Sequence, residues 1–271
     1  MNTESSVVGL KPNRRFGQHF LVDVDAQKKM IRYACLKNHD VVVEVGSGNG
    51  DLTSLIAETA GKVIAVERDP RLVKLLRERF SSRGRVQIIE GDIFKANLPS
   101  FNKIISNLPY YISSKFMFFL TKKTFELGVF TLQKEFVQRL VAKNGTSDYG
   151  RITVAIQHKM IVKILDSIPR QAFYPVPRVD SVTVSLSPKP EPRRLADETV
   201  FEEMVRELFT QRRKKVEKVL SHYLESKIGI LGLDLVSTLD PPDSRVYEMT
   251  VEEFEELSNN VRLALKERVQ L

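Results

Sequence analysis

The chain has 271 residues, which is enough for one large α/β domain or for a smaller domain with a companion. Its formal net charge is +8, and the basic excess lies in residues 1–186, which hold 28 Lys and Arg against 17 Asp and Glu. Apolar runs are too short for a membrane helix, the start lacks the apolar region of a secretory signal, and the single cysteine and scattered histidines exclude an internal disulfide and a structural zinc site. We therefore expect a soluble, cytoplasmic monomer without membrane contact. The charge suits a polyanionic partner, and a merely basic surface is the alternative.

The N-terminal arm, residues 1–22, is polar and basic and ends in KPNRRFGQHFL, which predicts an irregular segment with a short apolar anchor. From Asp23 onward, helical apolar spacing alternates with short β-branched runs, and this alternation predicts βαβ units around a mostly parallel sheet. The predicted helices cover 23–36, 51–60, 70–81, 113–122 and 134–142. The predicted strands cover 40–46, 62–67, 85–91, 103–106 and 128–133.

The pattern changes after Tyr149. Residues 151–159 fit either a helix or a strand, whereas MIVKILDSI (160–168) and SVTVSLS (181–187) both predict strands. Since no helix fits between those two strands, we expect them to pair antiparallel at the sheet edge.

A proline-rich segment, SPKPEPRRLAD (187–197), predicts a linker between two domains. Beyond it the spacing predicts helices, with Asp197 and Thr250 as N-caps, over 198–210, 212–226 and 250–268. We therefore expect an α/β cofactor-binding domain over 1–187 and a small all-α domain over 188–271.

The segment EVGSGNGDLT (44–53) places glycines at the first strand-to-helix turn, where the backbone approaches a ligand closely. The dinucleotide fingerprint G-x-G-x-x-G would need its third glycine at Asp51, so a nicotinamide cofactor is not favoured. Gly46 and Gly48 are candidate cofactor contacts. Glu44, just before them, would repel a phosphate and suits a cationic or amine-bearing ligand. S-adenosylmethionine, with its sulfonium and ammonium groups, fits that description.

Two more acidic residues follow later strands of the predicted sheet. Glu67 closes the second strand, where a carboxylate accepts hydrogen bonds from ribose hydroxyls, and Asp92 follows the third, where it would accept from an adenine amine. A single acid at a strand end is more often a helix cap or a solvated loop residue. Three acids at the carboxyl ends of parallel strands, where the glycine loop also lies, favour a cofactor site instead.

The fourth predicted strand runs into Asn-Leu-Pro-Tyr, residues 107–110, beside the expected methyl group. The amine of a nucleic-acid base is a poor nucleophile because its lone pair is delocalised, so methylation needs acceptors aimed at its hydrogens. The Asn107 side-chain oxygen and the Leu108 carbonyl are candidates, Pro109 fixes the loop and offers no amide donor, and Tyr110 is a candidate stacking platform. The alternative is an ordinary turn with a core tyrosine.

At these residues the sequence resembles the ribosomal RNA adenine dimethyltransferase family, over almost the whole chain. Two residues depart from many bacterial members, Ser106 in place of glycine and Tyr111 in place of asparagine, and SNLPYYIS is closer to archaeal members. The motifs that carry the resemblance are RRFGQHFL (14–21), EVGSGNGDLT (44–53), AVERD (65–69), GDIF (91–94), NLPYYIS (107–113), LQKEFVQRLVA (132–142), AFYPVPRVDS (172–181) and FTQRRKKVEKVL (209–220).

The resemblance implies a Rossmann-like class I methyltransferase with a seven-stranded, mostly parallel sheet and a small all-α C-terminal domain that contacts RNA or the ribosome. It implies that Asn107, Leu108 and Tyr110 handle the target amine and that Phe173 packs against the flipped adenine from the other side, whereas Phe173 taken alone is more often a core residue. It further implies cofactor contacts from His19, Leu21, Gly46, Glu67, Asp92 and Asn107.

The activity that the resemblance implies is dimethylation of two adjacent adenosines near the 3′ end of small-subunit ribosomal RNA, with S-adenosylmethionine as cofactor and the immature small subunit as partner. Two alternatives stay open, which are an amine methyltransferase acting on DNA or another RNA, and a non-catalytic assembly or transcription factor. The basic segment QRRKKVEK (211–218) is either a solvated helix face or a contact to the RNA backbone.

Overall fold

The structure is a computed structural model that describes residues 12, 13, 16–229 and 231–269. Most of the predicted arm, including Arg14 and Arg15 of the RRFGQHFL motif, lies outside the described residues. The chain divides into two compact units, of which the first comprises residues 1–137 and 161–188 and the second comprises residues 138–160 and 189–271. In the described part of the chain, no helix combines the length and apolarity needed to cross a membrane.

The strands and helices follow the predicted order closely. The strands are β1 (Phe20–Leu21), β2 (Val41–Val45), β3 (Lys62–Glu67), β4 (Val86–Glu90), β5 (Lys103–Asn107), β6 (Leu127–Gln133), β7 (Met160–Ile168), β8 (Phe173–Tyr174) and β9 (Ser181–Pro188). The helices are α1 (Val24–Ala34), α2 (Asp51–Thr59), α3 (Pro70–Arg79), α4 (Ser113–Leu120), α5 (Lys134–Leu140), α6 (Arg151–Lys159), α7 (Glu198–Leu208), α8 (Val216–Ile228), α9 (Leu231–Leu239) and α10 (Val251–Val269).

The first unit is built on a seven-stranded sheet with the order β4-β3-β2-β5-β6-β9-β7. Strands β4, β3, β2, β5 and β6 pair in parallel, and β9 pairs antiparallel with β6. The expectation that β7 and β9 are neighbours at the sheet edge is confirmed. The strand order reverses between β2 and β5, and open α/β sheets bind their ligands at the carboxyl ends of the strands at such a point.

The short strands β1 and β8 form a separate antiparallel pair, in which Phe20 faces Tyr174 and Leu21 faces Phe173. The sequence predicted only an irregular anchor for the end of the arm, because a two-residue strand has no periodicity to recognise. This pairing holds the end of the arm in place, and the Leu21 and Phe173 side chains are buried in the core of the first unit.

The second unit is helical and has its own apolar core from α6 to α10, with Phe201, Leu220 and Phe254 at its centre. Both predicted N-caps are confirmed, since Asp197 accepts from the Thr199 amide and Thr250 forms a capping box with Glu253. Helix α9 was not predicted.

The predicted division at residue 187 assigned residues 138–160 to the α/β domain, whereas in the structure they belong to the helical second unit. Gln157 donates to the Leu140 and Ala142 carbonyls, and buried His158 bonds Glu255 at 2.7 Å, so α6 packs within the helical unit.

A buried ion pair supports the edge of the first unit opposite the ligand-binding ends of the strands. Lys103, at the start of β5, lies 2.9 Å from Asp40 and donates to the carbonyls of Ala34 and Cys35 at the end of α1. Burial acts to raise the pKa of Asp40, but hydrogen bonds from Asn102, Lys103 and the Lys37 amide outweigh it and hold the pKa below its ordinary value. Asp40 is therefore ionised at neutral pH.

We predict that Lys103→Met lowers the free energy of unfolding by about 3–5 kcal/mol at pH 7, because it leaves the Asp40 carboxylate buried without its cation. In the variant, burial without the cation raises the pKa of Asp40, so the folded variant binds a proton as the pH falls. The difference in free energy of unfolding between variant and wild type therefore becomes smaller at lower pH. Urea unfolding at pH 7 and pH 5 measures the change. The double variant Asp40→Asn/Lys103→Met is expected to recover most of the loss, and an equal deficit at both pH values would contradict the ion-pair account.

Candidate active site

The glycine loop after β2 has a backbone that only glycine adopts readily. Gly46, Gly48 and Gly50 have φ values of +71°, +58° and +85°. A Cβ atom at Gly46 would lie 3.1 Å from the Pro109 ring, and one at Gly48 would lie 3.1 Å from the Phe20 ring. The loop thus touches both the Asn-Leu-Pro-Tyr segment and the arm, which brings three distant parts of the sequence to one place.

Glu67, at the end of β3, anchors this loop with its carboxylate. One oxygen accepts from the Gly48 amide at 2.9 Å, and the other accepts from the Arg68 and Asp69 amides at 2.8 and 2.9 Å. Burial raises the pKa of Glu67, and the three amide hydrogen bonds oppose that rise. Because the Gly48 amide is engaged by a carboxylate, it is not free to bind a phosphate, which agrees with the exclusion of a dinucleotide cofactor.

Glu44 has a different environment from the one that the sequence suggested. Its side chain is buried beneath the loop and accepts a hydrogen bond from the Thr53 hydroxyl of α2. Burial raises its pKa to about 8, so the carboxyl group is mostly protonated at neutral pH. Glu44 therefore secures the loop to α2 and does not line the cofactor cavity. Neighbouring side chains of a strand point to opposite faces, and here Val45 lines the cavity whereas Glu44 faces α2, a choice that sequence spacing alone did not distinguish.

A cavity of about 290 Å³ opens at the carboxyl ends of β2, β3, β4 and β5. We call it the cofactor cavity. The glycine loop, the arm and the Asn-Leu-Pro-Tyr segment form its walls, as the sequence predicted. The predicted site residues on its wall are His19, Gly46, Gly48, Glu67, Asp92, Asn107, Leu108, Pro109 and Tyr110.

The orientation of the Asn107 amide follows from a hydrogen bond to the arm. Its Nδ2 atom donates to the His19 carbonyl at 2.9 Å. With the nitrogen engaged in this way, the amide presents Oδ1 as its remaining acceptor, on a side chain that lines the cofactor cavity. Leu108 follows with its side chain buried, so this part of the segment is held from both sides.

Tyr110 is held by contacts with two segments distant in sequence. Its hydroxyl lies 2.7 Å from the Ser181 hydroxyl at the start of β9, and its ring stacks on the His19 ring with centroids 5.7 Å apart. Burial raises the pKa of Tyr110, and the Ser181 hydrogen bond opposes that rise. The ring is therefore neutral at physiological pH and fixed in orientation.

A second cavity of about 470 Å³ also borders this stacked pair. His19 and Tyr110 line both cavities, while Gln133, Pro175 and Arg178 line only the second. The His19 Nδ1 atom lies 2.7 Å from the Pro175 carbonyl, an acceptor, so Nδ1 carries the proton and the ring is fixed as well.

Two further predicted site residues do not reach either cavity. Leu21 and Phe173 are directly paired in β1 and β8, and both side chains are buried in the core at 6% and 2% exposure. Neighbouring side chains of a strand point to opposite faces, so the exposed aromatic at this position is Tyr174. The buried Phe173 side chain agrees with the core position expected from that residue alone and does not fit the adenine contact that the resemblance implied.

Several residues of the cofactor cavity were not singled out from the sequence. Phe16, Phe94, Lys115 and Tyr111 line it, and the Tyr111 ring approaches Gly17 of the arm. Only the run of two tyrosines after Pro109 could have pointed to one of them. Tyr111 lines the cofactor cavity and does not line the second cavity.

Taken together, the fold and the site define a Rossmann-like S-adenosylmethionine-dependent methyltransferase that acts on an amine. The cavity offers carboxylates at Glu67 and Asp92, a glycine loop whose Gly48 amide is already engaged, and an oriented acceptor at Asn107, and these groups fit that cofactor. The sequence model of the ribosomal RNA adenine dimethylase family matches residues 9–255, so the chain belongs to this family. It is an S-adenosylmethionine-dependent ribosomal RNA adenine dimethyltransferase.

Curated relatives agree with the family over nearly the full chain. A probable ribosomal RNA small subunit methyltransferase A of Thermococcus onnurineus is 40% identical, covering 93% of each chain. One of Methanosarcina mazei is 39% identical, covering 91% of this chain and 92% of the relative. These relatives are archaeal, in line with the lineage that the sequence suggested.

Two solved structures are similar over most of the chain. A dimethyladenosine transferase from Plasmodium falciparum is 27% identical with a TM-score of 0.76, covering 89% of this chain and 96% of that one. The 23S rRNA methyltransferase ErmE is 26% identical with a TM-score of 0.65, covering 90% of this chain and 99% of that one.

We predict that Ser181→Ala and Tyr110→Phe each lower kcat about 3- to 10-fold, because each removes the hydrogen bond that orients the Tyr110 ring. If that bond is the cause, the double variant loses no more than the larger single effect, and the KM for the cofactor changes little. Steady-state kinetics measure these values. Ser185→Ala, which removes another hydroxyl of β9, is the matched control. Additive losses, or full activity of Ser181→Ala, would contradict the positioning role.

Proposed function

We propose that the protein transfers methyl groups to the N6 amines of two adjacent adenosines near the 3′ end of small-subunit ribosomal RNA, within immature small subunits. The observation that carries the proposal is the oriented Asn107 amide, which presents Oδ1 to the cavity beside a fixed Tyr110 ring. The names of the curated relatives support the small subunit. On this proposal the protein works in the cytoplasm, where such subunits mature, and as a monomer.

In the proposed mechanism, the acceptors of the Asn-Leu-Pro-Tyr segment prepare the amine for attack. Asn107 Oδ1 and the Leu108 carbonyl accept hydrogen bonds from the N6 amine and draw the nitrogen toward tetrahedral geometry, which localises its lone pair. Bound S-adenosylmethionine supplies an electrophilic methyl group. The nitrogen lone pair would take this methyl group with the cofactor sulfur as the leaving group, and the amine would then lose a proton to water.

Positioning supplies most of the remaining rate enhancement. The adenine stacks on Tyr110, which lines both the second cavity and the cofactor cavity, so the target amine lies next to the bound cofactor. Base-aromatic stacking contributes about 1–3 kcal/mol. Glu67 accepts from the cofactor ribose and Asp92 from its adenine amine, so the methyl group and the nucleophile meet at a fixed distance.

The likeness to ErmE supports a second candidate substrate, the 23S ribosomal RNA. That likeness is 26% identity, against about 40% for relatives named for the small subunit. We therefore rank the small subunit first. DNA methylation and a purely non-catalytic role have no comparable support, although a binding role in subunit assembly is compatible with catalysis.

The C-terminal unit is proposed to contact ribosomal RNA through part of its basic segment. Arg212 does not belong to that surface, because its guanidinium donates to the Thr146 and Ser147 carbonyls and stacks on Tyr247. Arg213, Lys214 and Lys218 of the same segment are exposed, which suits contact with a phosphate backbone.

We predict that the purified protein forms N6,N6-dimethyladenosine in small subunits from an unmethylated strain, and that Asn107→Ala lowers kcat about 10²–10³-fold because an oriented acceptor is removed. Transfer of radiolabelled methyl groups followed by nucleoside analysis measures both. Large subunits from a strain lacking 23S methylation serve as the competing substrate. Methylation of the large subunit alone would transfer the assignment to 23S RNA, and no dimethyladenosine with either subunit would refute the proposal.

We predict that Glu67→Ala weakens S-adenosylmethionine binding about 10- to 100-fold, because it removes the ribose acceptor and frees the Gly48 amide. RNA affinity is expected to change little. Calorimetry with the cofactor and a filter-binding assay with RNA separate the two effects. Glu58→Ala, which removes an exposed carboxylate of α2, is the matched control. Unchanged cofactor affinity in Glu67→Ala would contradict the ribose contact.

A further inference from the structure

A basic groove of about 530 Å³ adjoins the second cavity, and no role has been assigned to it. We call it the flanking groove. Its walls come from the start of α5, the loop after β7 and the loop before β9, all within the first unit. Lys134, Arg170, Gln171 and Arg178 supply its cationic and amide groups.

The groove continues directly from the second cavity. Arg178 lines both spaces. Lys134 of the groove follows Gln133 of the second cavity, and Asp180 of the groove precedes Ser181, the hydrogen-bond partner of Tyr110. An RNA strand whose target base stacks on Tyr110 can therefore continue from the second cavity into this groove.

Asp180 holds the groove in shape. Its carbonyl accepts from the Lys134 amide at 3.0 Å, and its Oδ1 atom accepts from the Arg170 amide at 3.0 Å. One residue of the loop before β9 thus pins the two opposite walls. The groove is a built feature of the first unit, and its walls do not depend on a ligand for their position.

The charges of the groove suit a polyanion. Lys134, Arg170 and Arg178 are exposed, and in the described part of the chain none of them forms an ion pair. Glu135 and Asp180 are the opposing carboxylates. One guanidinium group can donate to two oxygens of the same phosphate. Arginines without an ion-pair partner at the edge of the second cavity therefore favour binding of an RNA backbone.

Exposed apolar side chains mark the same rim. Tyr174 and Val176 are 51% and 55% exposed, and they flank Pro175 of the second cavity. Aromatic faces beside unpaired cations are the combination that binds single-stranded nucleic acid, by stacking of bases and contact to phosphates.

From these observations we infer that the flanking groove binds the single-stranded RNA next to the target adenosine, with Arg170 and Arg178 on backbone phosphate and Tyr174 under a neighbouring base. The inference rests on the proposed function, since it extends the path of the same RNA. It assigns to the loops around β8 a task separate from the chemistry, which is to hold the neighbouring nucleotide while one adenosine is methylated.

The test compares Arg170→Gln/Arg178→Gln with the wild-type full chain on a fluorescent RNA that contains the two adjacent adenosines and both flanks. The variant is expected to raise the RNA Kd about tenfold, with an unchanged Kd for S-adenosylmethionine. The slope of log K against log salt is expected to become shallower by about 0.7 for each phosphate that the variant no longer neutralises. Lys163→Gln, on exposed β7, is the matched control for removal of positive charge.

Two shortened RNAs, cut directly 5′ or directly 3′ of the adenosine pair, locate the bound flank. One of them is expected to bind wild type and variant equally. An unchanged Kd in the variant, an equal weakening in Lys163→Gln, or a difference that persists on both shortened RNAs would overturn the inference. Methyl transfer by the wild type to the full RNA or to small subunits is measured alongside, so that failure of the proposed function is seen separately.

Discussion

The geometry of the site depends on the hydrogen bonds that the Glu67 carboxylate accepts from backbone amides. It holds the glycine loop through the Gly48 amide and the start of the next turn through the Arg68 and Asp69 amides. Asp69 in turn caps α3 and accepts from Gln18 of the arm. One buried acid thus connects β3, the loop after β2, a helix start and the arm, and these connections set the shape of the cavity among them.

The sequence predicted the sheet well because buried parallel strands are short β-branched runs that repeat between helices. The second unit was harder to predict. Residues 151–159 form α6 although their pattern also fitted a strand, and α9, which has 9 residues and a glycine at its second position, was missed. The segment 138–160 joins the helical unit through contacts with residues much later in the chain, such as Glu198 and Glu255, which local patterns do not reveal.

The site shows the same limit at the level of single residues. Glu44 and Glu67 both follow hydrophobic strand residues next to the glycine loop, yet one is protonated beneath the loop and the other binds its amides. Phe173 and Tyr174 are neighbours, and pairing with Leu21 and Phe20 decides which ring is buried. Motif spacing located the segments correctly, whereas burial and backbone hydrogen bonds decided the role of each side chain.

The hydrogen bond from Asn107 to the His19 carbonyl links two properties of the enzyme that are usually treated separately. The arm forms a wall of the cofactor cavity, and the His19 carbonyl of the same arm fixes the orientation of the Asn107 amide. If the arm moves aside to exchange the spent cofactor between methyl additions, it takes the His19 carbonyl with it and leaves the amide free to rotate. On the proposed mechanism, an open cavity would then also lack its oriented acceptor, and a target base that stayed bound between the two additions would be methylated again only after the arm had closed.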